Sequence, residues 1–170
     1  SVNNTAMVSL CYAFYPDLVA NTPSAVINVS SQAAFQPVPF MAVYAASKAF
    51  VQSFSQAIYG EWQEKGIEVQ TLVPGPTKTE FDEKAGAYDS ALSYRDEPEK
   101  VVDISLKNLG HGSPVVSPVN TYKQRWFAGT FPSAMIIKTV KKSKKCLMKN
   151  LKKFLKIYLL IMTGKILLAI

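Results

Sequence analysis

Cysteine is scarce in this 170-residue chain: Cys11 and Cys146 are the only two, far apart and with no second thiol or histidine near either. That argues against a disulfide framework and a zinc cluster, and makes a reducing compartment the default. Histidine is scarcer still. His111 stands alone in a Gly-His-Gly turn and no Gly-x-Ser-x-Gly occurs, so a serine hydrolase would lack its base and its nucleophile turn. No uninterrupted apolar run is long enough to cross a bilayer, and neither a signal peptide nor an internal repeat is present. Acid is missing from one end only. Residues 138–170 hold ten lysines and no Asp or Glu, a net of +10, whereas residues 1–137 hold nine Lys/Arg against all twelve acids, a net of −3. The overall charge of +7 and pI near 9.4 therefore say nothing about the partners of the body of the chain.

What is present is globular: 48% hydrophobic, 11% aromatic and 18% charged residues, in a length that buries one substantial core. The first residue is Ser1, and Val2 to Tyr15 already reads as a helix ending at Pro16, so more chain is expected upstream. "AVINVSS" (25–31) reads as a strand buried on both faces, stopped by two serines. A helix follows from Phe40 to Gly66, with Val51, Phe54, Ile58 and Trp62 forming an apolar stripe. "IEVQTLV" (67–73) is a second buried strand, stopped by Pro74-Gly75-Pro76. Asp96 then caps a helix with Pro98 in its first turn and Gly110 as its stop, and "SPVVSP" (113–118) is a short third strand. This alternation predicts a parallel sheet with crossover helices, whose ligands bind outside the carboxyl ends of the strands. Ser30 and Ser31 share that edge with Pro74 to Thr79.

On the long helix Tyr44 and Lys48 are four residues apart and share a face. An ammonium beside a phenol favours the phenolate, which makes such a pair a candidate acid/base catalyst. The spacing alone is a weak signal, because many solvated helices carry it. The context is stronger: Ser31 ends a strand thirteen residues before Tyr44, and a Pro-Gly turn follows the next strand.

In this order and spacing the sequence resembles the short-chain dehydrogenase/reductase family, whose motif is Tyr-x-x-x-Lys preceded by a strand-end serine. "NVSSQAAFQPVPFMAVYAASKAFVQSFSQAI" is especially similar to bacterial short-chain oxidoreductases, and the resemblance runs from Val2 to about Leu109. It implies an α/β fold, a Rossmann-type doubly wound parallel sheet, of which this chain carries the C-terminal half. It also implies an NAD(P)-dependent oxidoreductase acting on a carbonyl or secondary alcohol. By position, Tyr44 matches the general acid. Lys48 matches the residue that eases the tyrosine's proton transfer and hydrogen-bonds the nicotinamide ribose. Ser31, rather than Ser30, matches the serine that binds the carbonyl, and Asn3, with Asn4 as competitor, matches the asparagine that holds a relay water. Pro74 and Gly75 match the turn under the nicotinamide, and Thr77 and Thr79 match contacts to its carboxamide and pyrophosphate. Each residue also has a plain alternative: Ser31 as a turn serine, Asn3 as a helix-surface residue, Pro74-Gly75 as a strand stop, and Thr79 as a helix cap boxed with Asp82. Phe35, Phe40, Phe81 and Tyr88 are either an apolar substrate pocket or core aromatics.

The family binds its dinucleotide through a glycine-rich turn, and this chain contains neither Gly-x-x-x-Gly-x-Gly nor Gly-x-Gly-x-x-Gly. The first four strands and that turn are expected upstream of Ser1. The cofactor is expected to be NAD(P)(H), with NADP(H) slightly favoured although the residue that would decide lies in the expected upstream half; no metal is expected. The family domain is expected over 1–137 and a basic amphipathic tail over 138–170. There Leu147, Leu151, Phe154 and Tyr158 oppose Lys145, Lys149, Lys152 and Lys156 across a helix. Such a helix can lie on anionic membrane, dock on the domain, or be an extension from a shifted reading frame. The partners expected are a small carbonyl or alcohol substrate, a second copy through the Tyr/Lys helix, and an anionic membrane surface, with no specific nucleic acid. The expected location is cytoplasmic, with peripheral membrane association as the variant. A non-catalytic remnant of the family acting as a binding protein is the competing reading.

Overall fold

The computed structural model describes residues 2–80, 95–118 and 128–142. Helix α1 (Val2–Ala20) leads into strand β1 (Ser24–Val29), a 3-10 turn (Gln32–Phe35) and helix α2 (Ala42–Trp62). A second 3-10 turn (Gln63–Lys65) precedes β2 (Ile67–Leu72), and α3 (Pro98–Lys107) precedes the two-residue β3 (Val115–Val116). Residues 133–142 are helical. The three strands form one parallel sheet in the order β1-β2-β3, with Ser24 opposite Ile67 and Thr71 opposite Val115.

β2 explains the layering, because both of its faces are buried. Ile67 and Val69 point to one side and join Cys11, Ile58 and Trp62, so α1 and α2 cover that face. Leu72 belongs to a separate cluster with Val101 and Val116, and the Gln70 amide donates to the Ser105 carbonyl at 3.0 Å, so α3 covers the other. Helices on both faces of a parallel sheet make the fold doubly wound and Rossmann-like. Burying Ile58 at the α2–β2 contact contributes about 1.5–3 kcal/mol. An aromatic seam joins α1 to α2: Tyr12 meets Trp62 edge-on at 5.9 Å, and Tyr15 lies 4.8 Å from the same ring.

The expected stripe of α2 holds, with Val51, Ile58 and Trp62 buried and Phe54 half-buried. α2 gives way to β2 at Gly66, whose φ of 75° is left-handed and whose absent Cβ would lie 3.1 Å from the Thr22 methyl.

Three expectations are corrected. α1 does not stop at Pro16 but runs to Ala20. The proline removes one backbone donor, yet Tyr15 and Leu18 pack on the Trp62 cluster. The last turn is held as well by the Ser24 hydroxyl on the Leu18 carbonyl at 2.8 Å and the Asn21 amide on the Asp17 carbonyl at 2.8 Å. Asp96 is not the cap of α3. Glu97 occupies that position without a side-chain capping bond, its carboxylate paired instead with Lys78, while the buried Asp96 carboxylate pairs with Lys100 at 2.6 Å. β1 is not buried on both faces: its burial alternates, with Ile27 and Val29 exposed, because α1 and α2 pack on its Val26 and Asn28 side while, among the described residues, the cluster under α3 draws on β2 and β3 and not on β1.

The expected boundary between residues 137 and 138 falls within the 133–142 helix, where Ile136 is buried. Cys146 and the Leu/Lys stripes of the tail lie outside the described residues. Among the described residues no helix is long and apolar enough to cross a membrane, and no cluster of acids, histidines and cysteines could hold a metal ion. Cys11 is a buried free thiol, pushed up from its ordinary pKa by burial, with the Asn28 side chain acting in the opposite sense.

Candidate active site

The carboxyl ends of β1 and β2 are stitched together beyond the strands themselves. Ser30 N–H donates to the Leu72 carbonyl at 2.8 Å and Gln32 N–H to the Pro74 carbonyl at 3.2 Å. The serine pair and the Pro-Gly turn, 43 residues apart in sequence, are therefore neighbours on one sheet edge. Ser31 is half-buried and extended, and its hydroxyl accepts from Ala33 N–H at 3.2 Å, capping the 3-10 turn. That turn packs on α2 and brings the serine alongside the start of the helix.

Tyr44 lies in the first turn of α2 and is half-buried. The Lys48 ammonium sits 6.0 Å from the centre of its ring, at the outer limit of a cation–π contact. The same ammonium donates to the Val29 carbonyl at 2.9 Å. Burial holds the Lys48 pKa below its ordinary value. The last carbonyl of β1 thus anchors the lysine beside the tyrosine, and the next residues in the chain are the serines.

Beyond β2, Pro74 and Gly75 are half-buried, and the Thr77 hydroxyl donates to the Gly75 carbonyl at 3.1 Å. Thr77 bridges to Asp96 through Asp96 N–H on the Pro76 carbonyl (2.9 Å) and Lys78 N–H on the Asp96 carbonyl (3.0 Å). Thr79 is exposed at the end of this loop; its expected box partner Asp82 lies outside the described residues, as do Phe81 and Tyr88. Phe35 is half-buried. Phe40 is no core aromatic: it is 58% exposed and has a φ of 70°. Asn3 belongs to the first turn of α1, and its side chain lies outside the described residues. The neighbouring Asn4 has a buried side-chain oxygen without a hydrogen-bond partner.

His111 stands at the other end of the sheet. Its turn is tied to Glu68, near the start of β2, and to the Tyr59 hydroxyl through the Gly112 carbonyl at 3.0 Å. Glu68 and Leu72 are about 13 Å apart at strand rise, so His111 is no base for Ser31.

Two residues escaped the sequence reading. Asn28 is buried, and its amide donates to the buried Ser55 hydroxyl at 2.9 Å. Ser30, set aside in favour of Ser31, is buried and donates to the Lys48 carbonyl at 2.8 Å. A polar residue inside the apolar run "AVINV" was the available signal for Asn28.

The short chain dehydrogenase profile matches residues 1–89, more than half of the sequence. The chain belongs to the short-chain dehydrogenase family. Among curated relatives, the bovine very-long-chain 3-oxoacyl-CoA reductase is 30% identical over 125 residues, covering 70% of this chain and 38% of the relative. Among solved structures, the short-chain dehydrogenase of Sphingobium yanoikuyae in complex with NADPH superposes with a TM-score of 0.66 at 29% identity. It is matched over 86% of this chain and 53% of its own. A short-chain dehydrogenase of Burkholderia cenocepacia in complex with NADP gives 0.65 at 25% identity, over 79% and 55%. The chain therefore spans less than half the length of the curated dehydrogenase relatives first matched, and about half of these solved chains.

The residues here fit one end of a nicotinamide nucleotide. A half-buried ammonium beside a phenol, at a strand-end edge with a Pro-Gly turn, offers donors for a ribose and a flat wall for a ring. The phosphate-cradling glycine turn of such sites has no counterpart in the 170 residues.

Proposed function

We propose that this chain carries the proton-transfer part of an NAD(P)-dependent oxidoreductase acting on a carbonyl or secondary alcohol. The observation that carries the reading is the Lys48 ammonium, held on the Val29 carbonyl at 2.9 Å and 6.0 Å from the Tyr44 ring, one residue before the serine pair. When bound, the nicotinamide supplies or accepts the hydride. Tyr44 gives its phenolic proton to the substrate oxygen during reduction and takes it back in oxidation. Lys48 stabilises the phenolate with its charge and donates to the ribose. Ser31 donates a hydrogen bond to the substrate oxygen, for which its hydroxyl hydrogen is available while its oxygen accepts from Ala33. Asn3 holds a water that returns protons towards Lys48. Pro74 and Gly75 wall the nicotinamide, and Thr77 and Thr79 contact the carboxamide and the pyrophosphate.

NADP(H) is the preferred cofactor, supported by the NADPH and NADP complexes of the two solved relatives. A 3-oxoacyl thioester is the first substrate to try, given the bovine relative's name. The 170 residues alone, lacking the phosphate-cradling turn, are expected to bind NADPH more weakly than micromolar in a fluorescence titration and not to turn over. Location in the cytoplasm, pairing of two copies through α2 and attachment of the Lys-rich tail to anionic membrane belong to the same proposal. The "AFQP…MAVYxASKAFVxSFS" stretch supports a likeness to bacterial short-chain oxidoreductases within the family. The deciding test is Tyr44→Phe in a protein that joins this chain to a glycine-rich first half. NADPH-dependent reduction should fall by two or more orders of magnitude with binding of NADPH retained. Undiminished turnover would remove the tyrosine from the mechanism.

A further inference from the structure

Three consecutive residues at the end of β1 are tied to α2. The Asn28 amide donates to Ser55, whose hydroxyl donates on to the Val51 carbonyl at 2.7 Å. The Val29 carbonyl accepts the Lys48 ammonium, and the Ser30 hydroxyl donates to the Lys48 carbonyl at 2.8 Å. Lys48 is therefore gripped at both ends, backbone and side chain, by adjacent residues of one strand. A lysine tether has four rotatable carbon–carbon bonds, so its ammonium stays on one carbonyl only if its backbone is fixed relative to that carbonyl. Ser30 supplies that fix. It is 3% exposed, and its oxygen is committed to the helix, away from any substrate.

We propose that Ser30 is a positioning residue for the Tyr44–Lys48 pair: its bond to the Lys48 carbonyl sets α2 against β1 at the register that lets the ammonium reach the Val29 carbonyl. The two serines then divide the work, with Ser31 facing the reacting oxygen and Ser30 holding the lysine. Asn28 and Ser55 clamp the same helix two turns further on, without touching Lys48, and provide the control.

The proposal rests on the proton-transfer reading of Tyr44 and Lys48, but its test needs no turnover. In the 170-residue chain, competitive acetylation by acetic anhydride with peptide mass spectrometry gives the pH of half-maximal reactivity for each lysine. In the wild type, Lys48 should titrate below the same lysine in the urea-unfolded chain. Ser30→Ala should move the Lys48 midpoint at least half-way towards that unfolded value, Ser30→Thr, which keeps the hydroxyl, should restore it, and Ser55→Ala should leave it in place while lowering the melting temperature. An unmoved midpoint in Ser30→Ala, or an equal movement in Ser55→Ala, overturns the proposal. If Ser30→Ala gives no cooperative melt, Ser30→Cys, close in size and a weak donor, is read by the same criterion. Failure of both to fold overturns it as well, by making Ser30 a requirement of folding. A midpoint that moves as expected, together with an active Tyr44→Phe enzyme, would sink the functional reading and leave the clamp standing.

Discussion

Ser55→Ala removes one hydroxyl that is wholly buried yet makes two hydrogen bonds, accepting from the Asn28 amide at 2.9 Å and donating to the Val51 carbonyl at 2.7 Å. The Val51 carbonyl keeps its helical partner, so its loss is small. Asn28 fares worse, because its amide is left facing only the Cys11 sulfur at 3.9 Å, a weak acceptor. A buried donor without a partner costs about 1–3 kcal/mol, and we expect Ser55→Ala to cost about 2 kcal/mol. At this chain length that lowers Tm by roughly 4–8 °C. Asn28→Val together with Ser55→Ala removes donor and acceptor at once, so the double variant should be more stable than Ser55→Ala alone. Urea unfolding followed by the fluorescence of the buried Trp62 measures all four corners of the cycle. A loss below about 0.5 kcal/mol in the single variant, or additive losses in the double, would refute the account of Asn28 and Ser55 as a coupled buried pair.

Ile58→Ala, at the centre of the α1–α2–β2 cluster, should cost about 2–5 kcal/mol and Ile58→Val about 0.5–1.5 kcal/mol; equal losses would mean the site collapses freely. Phe40 follows Pro39 in a turn closed by Met41 N–H on the Val38 carbonyl at 3.1 Å, with φ of 70° where glycine is preferred. Phe40→Gly should raise stability by about 1 kcal/mol in urea melts, relief of strain outweighing the entropy added to the unfolded chain; Phe40→Val should lower it. Burial keeps the folded pKa of Lys48 below the unfolded value of about 10.4, so the unfolded chain binds more protons between the two. Stability linked to this group is therefore full above that unfolded value and lost as the pH falls through the folded one. Lys48→Met should be relatively more stable than the wild type near neutrality, with the difference narrowing as the pH rises towards 10.4; a gap independent of pH in urea midpoints would show that burial does not disfavour the charged lysine.

The motif-bearing helix was legible because its signals are local: a stripe at helical spacing, a glycine at its end, and Tyr44 and Lys48 one turn apart. β2 was legible for the same reason, as an apolar run ending in Pro-Gly. The end of α1 was misread because a proline rule is local, whereas the packing of Tyr15 and Leu18 on Trp62 that overrides it comes from residues over forty positions away. Asp96 looked like a cap because it stands ahead of a helix; the tertiary bridge to Thr77 turns it inward instead.

The sequence alone determined the family, the order of helices and strands, and the pairing of tyrosine with lysine, because these depend on residue type at fixed short spacing. Only the tertiary structure decided which of two adjacent serines is buried against Lys48, which strand carbonyl holds the ammonium, and that His111 stands at the far end of the sheet. Strand register and helix docking set those answers. They join residues 18 to 42 positions apart through single hydrogen bonds, and no spacing within one element encodes them.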